Sequence, residues 1–210
     1  MDTIKSKYHE TLAATVIKNL EKRQMEGYYC PTVEDAEKLA FSFLKDGQTV
    51  SFGGSMTLEE TGMLTALRHD PSIHLIDRST AKTPDETKKM NHDALSSDVY
   101  FMSTNAITTG GELVNIDGTG NRVAALIYGP ETVVILAGMN KIAANVDEAL
   151  SRVHNVATAQ NCIRLDKKTP CAITGACADC LSPDCICNQV VITRRSGIKG
   201  RIKVLLIGES

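Results

Sequence analysis

Five of the chain's seven cysteines crowd into one stretch, TPCAITGACADCLSPDCICN at 169–188. Cys171, Cys177, Cys180 and Cys187 follow the spacing C-x5-C-x2-C-x6-C, and Cys185 is a fifth thiol. A metal or cluster needs thiolates at about 2.3 Å from its centre. Short spacers punctuated by Pro170, Gly175 and Pro183 would let one loop wrap around it. Zinc ribbons carry two C-x2-C knuckles separated by a longer stretch, and only one such pair occurs here. Compact, unequal spacers suit a [4Fe–4S] cluster better. Structural zinc stays open as the alternative, as do redox disulfides or free thiols. Cys30 and Cys162 stand apart and are expected to be inert, buried hydrophobes. The odd thiol count argues against a disulfide framework.

Two further segments carry chemistry. In SFGGSMTLEE at 51–60, an apolar run meets glycines and then a helix start. Gly53, Gly54 and Ser55 would let backbone N–H groups approach an anion. Glu59 and Glu60 add negative charge there, so a phosphate would need a cation nearby. Otherwise Glu59 faces a ligand hydroxyl or moves a proton. The segment STNAITTGGELVNIDGTGNRVAALIYGP at 103–130 is more polar than a crossover requires. Thr104, Asn105, Glu112, Asp117, Asn121 and Arg122 are interleaved there with Gly118, Gly120 and other glycines. Asp117 could hold a sugar hydroxyl or act as the acid/base, and Arg122 could clamp a carboxylate or phosphate. Turn geometry alone is the plainer reading of its Asn, Asp and Gly. Lys141 is a candidate for the missing cation.

Composition limits the function classes. Hydrophobic residues make up 42% and charged residues 23%, a globular balance, with a formal net charge of −2. A sequence pI near 6.2 and 4% aromatics argue against nucleic-acid binding. The apolar runs at 123–128 and 133–137 are too short to span a bilayer, and no signal-peptide pattern opens the chain. A soluble, cytoplasmic protein is expected.

These residues must be positioned by alternating elements. Apolar residues Ile4, Tyr8, Leu12, Val16 and Leu20 recur every four positions, as in an amphipathic helix that could serve a homodimer. Thr32 with Asp35 starts a helix to about Leu44, and Thr57 with Glu60 reads as a capping box. Thr83-Pro84-Asp85-Glu86 starts another helix, and 141–161 reads as one long helix. Strands are expected at 49–52, 73–76, 99–102, 132–137, 189–193 and 201–207. Segments 106–108 and 112–116 could pair across Thr109-Gly110-Gly111. The alternation implies a single α/β domain over 1–210, with a mostly parallel sheet flanked by helices. An added N-terminal helix (1–27) and the cysteine loop (169–188) complete it. Ligands should gather at the carboxyl ends of the strands.

Residues 51–60, 103–130, GMNK at 138–141 and the cysteine loop together resemble the LUD-domain family of lactate utilisation (LutC-like) proteins. The likeness is to the short branch with a C-terminal cysteine loop. It implies a NagB/RpiA/CoA-transferase-like fold. It also implies an accessory or redox role in oxidation of L-lactate or another 2-hydroxy acid, beside iron–sulfur oxidoreductase subunits. A small anionic metabolite would occupy the cleft. Cys171, Cys177, Cys180 and Cys187 match the family's pattern, and Cys185 is additional. The stretch 105–124 is also similar to loops of methylthioribose-phosphate isomerases and initiation-factor regulatory subunits, but the isomerases' catalytic cysteine motif is not evident. The alternatives are a stand-alone enzyme on a phosphorylated or carboxylated sugar-like metabolite, or a ligand-sensing module without turnover.

Overall fold

The computed structural model describes residues 3–209. The chain begins with α1 (Thr3–Lys22), β1 (Glu26–Cys30), α2 (Val33–Phe41) and β2 (Thr49–Phe52). There follow α3 (Met56–Glu60), α4 (Met63–His69), β3 (His74–Ile76), α5 (Pro84–Asp93) and β4 (Val99–Met102). A hairpin of β5 (Ala106–Thr108) and β6 (Leu113–Asp117) leads to α6 (Asn121–Ile127), β7 (Thr132–Gly138) and the short β8 (Ile142–Ala143). The remainder is α7 (Val146–Arg152), a π-helical turn (Val153–Thr158), α8 (Ala159–Arg164), α9 (Pro170–Thr174), β9 (Gln189–Thr193) and β10 (Ile202–Ile207).

One sheet has the order β1-β10-β7-β4-β2-β3, and every pairing in it is parallel. Burial on both faces explains its sequences, because side chains alternate between two cores. Val133, Ile135 and Ala137 of β7 face one core with Val204 and Leu206 of β10. Val134 and Leu136 face the other with Leu205 and Ile207. The first core is closed by α1, α6 and the β5–β6 hairpin, through residues such as Leu20, Leu126, Ile107 and Leu113. The second is closed by α2, α3 and α4, through Ala36, Leu58 and Leu67. This is the expected α/β fold with a mostly parallel sheet between helices.

Four expectations change. The strands β5, β6 and β9 leave the parallel sheet and form a second one with β8, in the order β8-β5-β6-β9. Helix α1 is a wall of the main core rather than an appendage, since Ala13, Val16 and Leu20 are fully buried in it. Its apolar stripe is only half used: Tyr8 stays 61% exposed. Residues 1–2 of the expected extension lie outside those described. The helix after β2 is capped by Ser55, whose Oγ accepts from Leu58 N, rather than by Thr57. Finally, 141–161 is not one helix. It holds β8, then α7, whose Asn145 cap accepts from Glu148 N, then the π-turn and the start of α8.

Candidate functional site

All six strands of the parallel sheet point their carboxyl ends at one cleft of about 1160 Å³. Residues just past each strand line it: Val33, Gly54, Arg78, Ser103, Lys141 and Glu209. Ligands of open parallel sheets bind at this edge, because connections leaving in different directions open a crevice there. The opposite wall comes from the π-turn and α8, through Thr158, Gln160 and Asn161.

Arg122 ties the floor together. Its Nη1 donates to Ser103 O at 3.1 Å and Asn115 Oδ1 at 2.7 Å, and its Nη2 to Asn105 Oδ1 at 3.0 Å and Ile116 O at 2.6 Å. Asp117 Oδ2 lies 3.5 Å from its Nε. The guanidinium is thus spent on joining β6, α6 and the turn after β4. Asp117 is engaged too, since its Oδ1 accepts from Thr119 N at 3.1 Å and Gly120 N at 2.8 Å. Asn115 is fully buried, and its Nδ2 has no partner among the described residues.

Lys141 is arranged differently. Its Nζ donates to Thr57 Oγ1 and Ser103 Oγ, each at 2.7 Å, and to no carboxylate among the described residues. Burial, with Arg152 and Arg122 nearby, pushes its ammonium down to about 8, and Glu60 offsets this only in part. Arg152, which donates to Asn105 O at 2.7 Å and Asn140 O at 3.1 Å, spends its charge on backbone carbonyls.

The glycines have a close-approach role. An ideal Cβ at Gly53 would stand 3.0 Å from Arg122 Cδ, and one at Gly54 would stand 2.5 Å from Arg78 Nη2. Arg78 therefore lies directly on the backbone after β2. It went unnoticed in the sequence, although its place just past β3 is the signal that finds it. Ser103, Arg152 and the α8 wall were missed likewise.

The expected cleft residues separate by position. Gly54, Ser55, Glu59, Thr104, Asn105, Asp117, Gly118, Asn121, Arg122 and Lys141 all line the cavity. The Glu59 carboxylate makes no hydrogen bond or ion pair among the described residues. Thr104 turns its hydroxyl inward to Ala106 O and Val114 O, while Asn121 donates to Asn91 Oδ1. Gly53 is buried against Arg122, and Gly120 stands half-buried at the start of α6. Glu112 lies elsewhere, joined to Arg23 and Thr108 where the hairpin meets the end of α1.

The cysteine loop borders this same cleft. Ile186, between Cys185 and Cys187, lines the cavity and packs on Gly118, and Asn188 Nδ2 donates to Gly118 O at 2.9 Å. The thiols are neighbours. Burial, with Cys185, Cys180 and Cys177 close by, pushes the Cys187 thiol up to about 11. Cys162 is not apart from them. It shares a small core with Cys171, and burial followed by Cys171 and Cys180 raises its thiol. Thr169 Oγ1 lies 3.2 Å from Cys171 Sγ, and His154 Nδ1 lies 3.8 Å from Cys177 Sγ. Among the described residues no three His, Cys, Asp or Glu side chains are placed to hold a metal ion. In kind, soft thiols gathered around Cys180 suit a thiolate-bound group.

The LUD-domain model matches residues 13–207. The chain belongs to the LUD-domain family. This LUD protein also resembles the solved DUF162 family protein of Deinococcus radiodurans, at 11% identity and a TM-score of 0.54, over 95% of this chain and 98% of that one. That likeness shows a shared fold. Two others span about half of each chain: eIF2B delta from Chaetomium thermophilum, at 19% identity, 53% and 48% coverage and a TM-score of 0.36, and the Plasmodium falciparum ribose 5-phosphate isomerase, at 16% identity, 54% and 52% coverage and a TM-score of 0.33. None of the curated proteins compared with the chain matches it. The family is associated with lactate utilisation. Among the described residues no helix is long and apolar enough to cross a membrane.

Proposed function

We propose that this LUD protein binds a small anionic metabolite of the 2-hydroxy acid type in the cleft, as an accessory or redox component of lactate utilisation. Lys141 carries the reading. A half-buried ammonium that, among the described residues, meets only hydroxyl groups is an incomplete site, because desolvation disfavours its charge until an anion arrives. Thr57 and Ser103 hold the ammonium in place, and their hydroxyls can turn towards a carboxylate or an adjacent hydroxyl. Arg152 adds positive potential, and Arg122 keeps the floor rigid beneath. Titration calorimetry with L-lactate on the wild type and on Lys141→Met tests it. Binding by the first and not the second is expected, and absence of binding by both sinks the reading.

We propose further that Cys171, Cys177, Cys180 and Cys187 hold a [4Fe–4S] cluster, with zinc as the alternative occupant. When bound, such a cluster would supply one-electron transfer. The chain's own part is to bring the thiols into one loop beside the cleft, where ligation would displace any protons they carry. Electrons would pass to iron–sulfur oxidoreductase subunits. Anaerobic purification with iron, sulfide and zinc analysis decides between the two. Iron and sulfide lost in Cys171→Ala and kept in Cys185→Ala support the cluster, whereas stoichiometric zinc turns the loop into a staple.

One observation favours a second reading, a stand-alone enzyme on a phosphorylated or carboxylated sugar-like metabolite. Burial pushes Lys141 down to about 8, and the Glu59 carboxylate lines the same cleft with no partner among the described residues, a combination suited to proton transfer. Turnover of such a metabolite without an electron acceptor, lost in Glu59→Gln, would establish it.

A further inference from the structure

We propose that the cleft's ligand carries two anionic groups, one seated at Lys141 and the other at Arg78. This rests on the anion-binding reading above and names the class of ligand. The cleft is lined by six basic side chains, Arg68, Arg78, Arg122, Lys141, Arg152 and Arg164, against four acidic ones, Glu59, Glu60, Asp117 and Glu209. Most of the basic groups are already committed. Arg68 pairs with Asp77 at 2.8 Å, Arg164 donates to Asn161, and Arg122 and Arg152 serve carbonyls and amides. Among the described residues Lys141 donates to hydroxyls only. The Arg78 guanidinium makes no hydrogen bond or ion pair among the described residues, its backbone carbonyl alone accepting from Ala81 N.

The placement of Arg78 is specific. Its guanidinium rests against Gly54, where a side chain would displace it. It also lies within electrostatic reach of Arg122 and of the Tyr100 hydroxyl. Two guanidiniums held near one another on the same wall repel unless an anion comes between them or beside them. A planar fork with all its donors free matches a carboxylate or phosphate in bidentate fashion. Asn91 also lines the cavity, and its Nδ2 can donate to an anionic group, whereas Thr87 and Ser79 spend their hydroxyl hydrogens on Thr83 O and Asp77 Oδ1.

The two cations arise from different strand ends, Lys141 after β7 and Arg78 after β3, with β4 and β2 between. A three-carbon monoacid seated on Lys141 would leave most of the cleft empty. The volume of about 1160 Å³ exceeds the roughly 300–1,000 Å³ usual for sites of drug-sized ligands. A hydroxy acid extended by a second carboxylate or by a phosphate ester would reach further and neutralise both ends.

The experiment is calorimetric titration of the full chain near neutral pH with L-lactate, L-malate and 3-phosphoglycerate. All three are 2-hydroxy acids, and they differ in the second anionic group. At least one of the doubly charged acids is expected to bind about tenfold or more tightly than lactate, as one charge-assisted contact allows. Arg78→Met should erase that margin, weakening the best-bound acid far more than lactate, while Lys141→Met weakens all three. The preference between malate and phosphoglycerate then identifies the group at Arg78 as carboxylate or phosphate. Equal affinity for all three acids, or a margin that survives Arg78→Met, overturns the second seat and leaves the anion-binding reading standing. No binding of any of them overturns both. A thermal melt of Arg78→Met matching the wild type separates a lost contact from a lost fold.

Discussion

Lys141 gives the cleft a pH response whose direction can be worked out. Burial holds its ammonium at about 8, below the 10.5 of an exposed lysine. The cation is therefore present below about pH 8 and is lost as the pH rises through it, so anion affinity should fall along the same limb. Binding measured at about pH 7 and about pH 9.5 checks this, and a flat profile would remove Lys141 from the site. The same shift costs the fold stability below about pH 8, and that cost fades as the pH rises from about 8 to 10.5, so unfolding becomes harder across that window. Arg122 has another role. Arg122→Lys keeps the charge but loses the fork that serves four acceptors. A loss of roughly 2–4 kcal/mol in urea unfolding is expected. From the sequence Arg122 and Lys141 looked alike, as anion clamps. Which of them is spent on the protein depends on the carbonyls of Ser103 and Ile116, which only the fold brings within reach.

At the scale of elements, stability rests on contacts that the local pattern shows only in part. In α1 the four-residue repeat is real, yet Ile4 and Tyr8 face solvent, while His9 beside them is buried against Gly208 O. Leu20→Ala should cost about 2–5 kcal/mol, whereas Tyr8→Ala should stay within about 0.5 kcal/mol. Chemical denaturation of the two variants distinguishes the docked face of the helix from the part of the stripe left in solvent. The last turn of α6 depends on a residue far away in sequence. Arg201 is buried and donates to Pro130 O, Leu126 O and Ala125 O at 2.7–2.8 Å. Arg201→Met leaves those carbonyls without a donor, so a loss of about 2–5 kcal/mol is expected in the same assay. The strands at 49–52, 99–102 and 189–193 could be located from the sequence because apolar runs and turn residues are local signals. The assignment of β5, β6 and β9 to a second sheet could not, because pairing partners are set by tertiary packing. The break inside 141–161 was hidden for a related reason: Ile142, Val146, Leu150 and Val153 keep a helical repeat across a segment that starts as a strand.

Across the whole molecule, the thiol loop and the cleft share a wall. Ile186 packs on Gly118 beside Asp117, so whatever fills or modifies the loop presses on the loop that starts α6. Ligand affinity is expected to change several-fold between metal-loaded and chelator-stripped protein. Alkylating Cys185 and Cys187 in the stripped form should shift it again. Identical affinities in all three states would show that the two sites are independent. Only the adjacency was out of the sequence's reach: each segment could be recognised alone, but Ile186 and Gly118 are far apart along the chain.

The π-turn at Val153–Thr158 sets the angle of everything beyond it. His154 within it reaches Cys177, Thr158 and Gln160 face the cleft, and Cys162 meets Cys171. One residue subtends about 100° on a helix, so removing a single residue here would turn α8 by more than a quarter revolution. The cleft would then lose its far wall and the thiols their buried member in one step. The extra residue acts as a phase setting, and a change of ligand preference in this protein can come through the rims at α3 and α5 more readily than through that helix.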